Sequence, residues 1–151
     1  MWQAQYQTTT DVPAEKLFRA ISDINNWSRW DQGLEFARID GPATAGSTFV
    51  LKPKGGPNVQ MSIEELRSPV RMVDVAHLPL AKLRTCHEFL QCGNQTTVRF
   101  SIEVWGLLGF FWRRIVGEKQ LREAPAQTAA FIRHARARSD ASSSLSSAAR
   151  A

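Results

Sequence analysis

The hydrophobic and polar positions of this chain repeat with two different periods, and the change between them falls at Gly106. Before that point alternation with a period of two dominates, the signature of strands with one face buried. Trp2 to Thr10 alternates and is rich in Gln and Thr, which predicts a first strand. Runs at 34–40, 46–53, 58–66, 70–78, 82–91 and 95–105 predict six more. Their separators are Asp40-Gly41-Pro42, Gly55-Gly56-Pro57-Asn58, Ser68-Pro69, Leu78-Pro79 and Gly93-Asn94, and such short connections make antiparallel neighbours. Val98, Phe100, Ile102 and Val104 alternate with Thr97, Arg99, Ser101 and Glu103, the clearest one-face-buried pattern in the chain.

Two short helices are predicted after the first strand. Asp11 is placed as N-cap, Pro13 in the first turn and Glu15 close behind, with Leu17, Phe18 and Ile21 on one apolar face. Ser22 or Asp23 caps a second helix through Asn26, Trp27 and Trp30. Neither is long enough to stand alone, so both must lean on the sheet. Trp27 and Trp30, three apart, share a side. They either pin the small helices or line the mouth of a pocket. After Gly106, Leu108, Phe111, Trp112 and Ile115 mark one helical stripe and Thr128, Phe131, Ile132 and Ala135 another. The stripes slip out of phase across Gly117 and Pro125, which predicts one long helix from about Leu107 to Arg138, irregular between those two residues. From Ser139 onward the chain is mostly Ser and Ala, which predicts a domain over 1–138 and a disordered tail over 139–151. The class is α+β: a seven-stranded curved antiparallel sheet with one face to cover, and one C-terminal helix to cover it.

Composition narrows the reading. At 151 residues there is room for one domain, and 43% hydrophobic content suits a packed one. Five Trp and eight Phe against one Tyr fit either a thick core or a greasy cavity. The net charge of +5 comes from scattered basic residues, which favours a solvated surface over a specific nucleic-acid site. Two cysteines, Cys86 and Cys92, and no signal-like run ahead of the first strand, lead to the expectation of reduced thiols in a cytoplasmic protein. The apolar run from Val104 to Trp112 is about half a membrane span, so no transmembrane segment is expected.

Candidate chemistry is sparse. There is no GxGxxG, Walker loop, HExxH, CxxC or GxSxG. Cys86 and His87 are neighbours on a strand and point to opposite faces, so neither a metal nor a cofactor is expected. His87 is the strongest candidate. Alternation groups it with Leu83, Thr85 and Phe89, where an imidazole could bond a ligand carbonyl or move a proton, unless a neighbour such as Thr85 simply satisfies it. His77 carries less weight as a base. Arg84 and Glu88 fall on the other face with Cys86, and Glu88 is placed to pair with Arg99. The segment from Leu107 to Arg114 is apolar all round. It is a buried helix start, a pocket lid, or a shallow membrane contact with Arg113 and Arg114 meeting lipid phosphate.

The element order resembles the START-like (SRPBCC, birch-pollen-allergen-like) superfamily and its bacterial polyketide cyclase/dehydrase branch. Val12-Pro13-Ala14-Glu15-Lys16-Leu17-Phe18 resembles the opening of that branch's first helix. Asp23 followed by Trp27-Ser28-Arg29-Trp30-Asp31 resembles its W-x-x-W-D segment, and Gly46-Ser47-Thr48-Phe49 the start of its third strand. His87-Glu88-Phe89, Thr97-Val98 and Gly106-Leu107 resemble its last hairpin and the entry to the final helix. The likeness spans roughly residues 2–137. It implies a helix-grip fold with a cavity between sheet and helix for lipids, polyketides or other apolar ligands. It does not imply one reaction.

A small hydrophobic ligand is therefore the expected partner. The expected wall takes Trp30 from the small helices and Phe36, Phe49, Leu51 and Met61 from the early strands. Val75, Thr85, His87, Phe89, Val98 and Phe100 complete the sheet side, and Phe111 and Ile115 the helix side. Such a list is mainly apolar with few polar groups, as small-molecule sites are. The alternative is an enzyme of cyclase, aromatase or dehydratase type using the same pocket, with His87 as its acid–base. A second alternative is a membrane- or partner-interaction module built on residues 107–114. The chain is expected to be a monomer or a homodimer.

Overall fold

One sheet of seven antiparallel strands runs in the order β1-β7-β6-β5-β4-β3-β2. The strands are β1 (Trp2–Thr10), β2 (Leu34–Arg38), β3 (Thr48–Pro53), β4 (Val59–Arg67), β5 (Arg71–Leu78), β6 (Ala81–Cys92) and β7 (Gln95–Trp105). All seven lie within a few residues of the runs expected from alternation, because each is bounded by turn chemistry. Between β1 and β2 lie α1 (Ala14–Ser22) and a 3-10 helix (Ile24–Arg29). After β7 come α2 (Gly109–Trp112), a π turn (Arg113–Gly117) and α3 (Glu118–Ala149). The structure is a computed structural model that describes the backbone of residues 1–149 and the side chains of 1–138. The tail expected over 139–151 therefore falls outside the described side chains.

Register defines the two faces. Tyr6 pairs with Phe100, Phe100 with His87 and His87 with Met72, so these four share a face across adjacent strands. Thr8, Val98 and Phe89 form the next row on that face. Phe89 stacks on Phe131 of α3 at 6.0 Å between ring centroids, so this is the concave face gripped against the helix. Ile102, Val104, Leu83, Ile63 and Met72 are among its sealed residues. Leu17 and Ile21 of α1 are also fully buried, and each contributes roughly 1.5–3 kcal/mol through removal from water.

The opposite face is held by charge. Arg84 bridges Glu64 and Glu103 at 2.8 and 2.9 Å. Glu88 lies 3.6 Å from both Arg71 and Arg99, so the expected Glu88–Arg99 pair is present. Val73, Val75 and Cys86 are buried on this side. The apolar stems of the long charged side chains are what cover such residues. Burial pushes the Cys86 thiol up to about 11.

Local details differ from expectation in physical ways. α1 begins at Ala14 with Pro13 in the cap position, and the Ala14 N–H is satisfied by Gln91 Oε1 at 3.0 Å. Asp11 does not cap the helix; it pairs with Arg136 of α3. Arg138 donates to Arg19 O at 2.9 Å and lies 3.3 Å from Asp23, so this end of α3 is tied to α1. The helix runs on through Pro125, and the irregularity lies upstream, in the π turn. There a Cβ on Gly117 would stand 2.6 Å from the Trp2 ring, so only glycine lets the helix pass so close to β1. His134 of α3 is half-buried, and desolvation draws its pKa down.

Candidate functional site

Most of the expected wall lies on the concave face. Phe49 and Met61 are buried there as partners in β3 and β4, and Leu51 pairs with Val59 one step along. Thr85, Phe89 and Val98 are buried, while Phe100 and His87 are half-buried. Trp27 is a structural pin: it packs edge-on to Phe49 at 5.5 Å, and its indole N–H donates to Ile21 O at 2.8 Å. Trp30 packs edge-on against Phe131 at 5.0 Å, and its indole nitrogen, though buried, has no hydrogen-bond partner among the described residues.

Four of the expected wall residues lie elsewhere. Phe36 faces outward, opposite Lys52 and under the Arg38 guanidinium at 4.8 Å. A bulge between Leu34 and Phe36 reverses the alternation, so Leu34 and Ala37 are the inward residues. Val75 also faces outward, between Ser62 and Arg84. Phe111 and Ile115 are 44% and 49% exposed; Trp112 and Val116 pack on the core in their place. The π turn takes up an extra residue, which displaces a stripe extrapolated at the ordinary helical period.

Asp74 is the residue missed. It lies on the concave face opposite Thr85, 3% exposed, with its Oδ2 3.4 Å from His87 Nε2. The contact falls outside hydrogen-bond geometry, so this buried carboxylate oxygen has no hydrogen-bond partner among the described residues. An acid inside the run Met72-Val73-Asp74-Val75-Ala76 was a visible signal. The run is apolar on both sides, however, so alternation could not fix which residues point inward. Placing Val75 inside sent Asp74 outside.

The site is thus an acid and an imidazole, backed by Thr85, on a mainly apolar surface. Beside it Ala4, Tyr6, Thr8, Phe100 and His87 are only half-buried, so solvent reaches a strip across β1, β7 and β6. Tyr6 and His87 are two strands apart, about 10 Å, with Phe100 between them. The Phe131 end is closed by aromatic contact. Two recesses, of about 360 and 110 Å³, lie away from this strip, at the β5–β6 turn and at the start of α1. Among the described residues no three His, Cys, Asp or Glu side chains come together as a metal site.

A sheet gripping a C-terminal helix, with one polar pair on a greasy inner face, defines a helix-grip domain of the START-like kind. The chain belongs to the polyketide cyclase/dehydrase and lipid transport family, whose model matches residues 1–134. Similar solved structures include the ZhuI aromatase/cyclase from Streptomyces sp. R1128, 12% identical, with a TM-score of 0.71 over 91% of this chain and 94% of that one. A START superfamily protein from Mycobacterium smegmatis is 14% identical, with a TM-score of 0.64 over 82% and 92%. TTHA0849 from Thermus thermophilus is 14% identical, with a TM-score of 0.69 over 91% and 99%. At such identities the likeness is one of fold. No curated protein matches the sequence significantly.

Proposed function

We propose that this protein binds a small hydrophobic molecule along the half-open strip of its concave face, with its polar group at Asp74 and His87. The observation that carries the reading is the buried Asp74 carboxylate, whose Oδ2 lacks a hydrogen-bond partner among the described residues on a surface lined mainly by apolar side chains. Such an oxygen is costly to hold dry, and a ligand hydroxyl or amide would satisfy it. The family description, which joins cyclases to lipid transport, supports an apolar ligand without choosing one.

Turnover is the second reading, and the same pair favours it. A carboxylate beside an imidazole can orient the ring as an acid–base. His87 would then be the catalytic residue and Asp74 a positioning residue.

Native mass spectrometry of protein purified from its own host tests the first reading, with a co-purifying apolar compound as the expected result. His87→Gln then separates the two. A carrier loses a ligand hydrogen bond and about 0.5–1.5 kcal/mol of affinity. An enzyme loses about 10²–10⁴-fold in rate with binding nearly kept. No co-purified compound, together with no binding of an apolar fluorescent probe, would overturn both.

A further inference from the structure

The residues of 107–115 that do not face the core form an apolar prominence. Leu107 is 78% exposed and Phe110 70%, and Phe111 and Ile115 continue the same side at helical spacing. The β5–β6 turn adds Leu80, 62% exposed with φ 55°. The two segments are fastened together. Leu108 N–H donates to Leu80 O at 3.0 Å, and the Trp112 indole N–H to Pro79 O at 2.9 Å. A Cβ on Gly106 would stand 2.7 Å from Leu80 O, so close approach is part of the design. These large side chains therefore stand on a rigid base in water, an arrangement that marks an interaction surface.

Within the two segments that carry the prominence, charge has one sign. No acidic residue lies between Asp74 and Glu88, nor between Glu103 and Glu118. The same segments carry Lys82, Arg84, Arg113 and Arg114. Arg84 and Arg113 are neutralised by Glu64, Glu103 and Glu118. Lys82 and Arg114 form no ion pair among the described residues. Lys82 borders the recess of about 360 Å³ beside Leu80, with Trp105 across from it. Protruding apolar side chains, flanking cations and two indoles match the layers of a bilayer surface: acyl boundary, phosphate, and interface between them.

We propose that this end of the molecule docks on an anionic lipid bilayer. Leu80, Leu107, Phe110 and Phe111 enter the acyl boundary, and Lys82 and Arg114 meet lipid phosphate. The docking does not depend on the concave face holding a ligand.

Co-sedimentation with phosphatidylcholine vesicles, with and without phosphatidylserine, tests it on the full chain. The protein is expected to sediment with the phosphatidylserine-containing vesicles and to remain largely in solution with the others. Lys82→Gln with Arg114→Gln should weaken binding by about 25-fold, about fivefold for each cation. Leu107→Ser with Phe110→Ser should weaken it by about tenfold or more, with Phe110→Ser alone as the second variant should the pair fail to fold. Circular dichroism checks that each variant remains folded. Equal sedimentation with both vesicle types, or none, or folded variants that bind like the parent, would overturn the proposal. So would a concentration-dependent dimer in sedimentation velocity, abolished by Phe110→Ser, in a protein that ignores vesicles: the prominence would then be a contact between copies.

Discussion

Removing His87 should cost this protein more than an ordinary half-buried side chain, because of what it leaves behind. Asp74 is 3% exposed, and its Oδ2 lies 3.4 Å from His87 Nε2, an ion pair only when the ring is protonated. His87→Phe fills the wall but leaves the Asp74 carboxyl without that neighbour. Taking a polar neighbour from a buried polar group costs about 1–3 kcal/mol. For a chain of this length that is a fall of roughly 2–12 °C in Tm. Asp74→Val removes the stranded group instead and should leave stability unchanged or raise it by about 1 kcal/mol. The double variant should then unfold close to Asp74→Val alone, which puts the coupling in the cycle at about 1–3 kcal/mol. Thermal and urea unfolding of the four proteins at neutral pH gives the cycle. Additive changes, or a His87→Phe variant as stable as the parent, would refute the reasoning: Asp74 would not be held by His87, and the polar centre of the proposed site would be lost.

Two further predictions concern packing and charge. Gly117→Ala puts a methyl where the Trp2 ring lies 2.6 Å away and should destabilise by about 1–3 kcal/mol. In a Trp2→Ala background the same change should be neutral or favourable by up to about 1 kcal/mol, and urea midpoints check the reversal. Asp31 has its pKa raised, chiefly by desolvation, against lowering hydrogen bonds from Gly33 N–H and the Gln127 side chain. The native state therefore holds this proton longer than the unfolded chain, and the contribution to stability present below the ordinary value of 3.8 is lost as pH rises through the raised pKa. Asp31→Asn should thus match the parent near pH 3 but gain stability relative to it as pH rises through the raised pKa, and Tm against pH measures the difference.

The fold was legible because its signals are local. Each strand is closed by a turn with glycine or proline, most alternate, and the period changes once, at Gly106. The site was legible where alternation was unambiguous: His87 and Phe89 fell on the correct face because Arg84, Glu88 and Arg99 clearly belong to water. It failed where one face did not differ from the other, as at Val75 and Asp74, where ion-pair stems bury the outer face of β5. It failed again where the chain gained a residue, at the β2 bulge before Phe36 and in the π turn beside Phe111 and Ile115. Counting at fixed period cannot see an inserted residue.

Whether the half-open strip is a ligand groove or merely loose packing turns on Ala4. It pairs with Ile102 on the concave face and is half-buried between Trp2 and Tyr6, so part of the space before its methyl is open. A groove tolerates filling; a packed core does not. Ala4→Phe placed in a groove should change stability by less than about 1 kcal/mol, since its ring takes volume otherwise held by solvent. The same ring in a close-packed interior forces neighbours off their rotamers and costs about 1–3 kcal/mol. Binding reads the other half of the question. Titration with the probe 8-anilinonaphthalene-1-sulfonate should show affinity reduced by about tenfold or more in the variant, as its ring takes the place of an apolar guest. Stability kept and affinity lost places the ligand on the β1–β7–β6 strip. Stability lost with probe binding unchanged would mean that the strip is wall rather than cavity, and that the ligand, if held at all, lies elsewhere in the molecule.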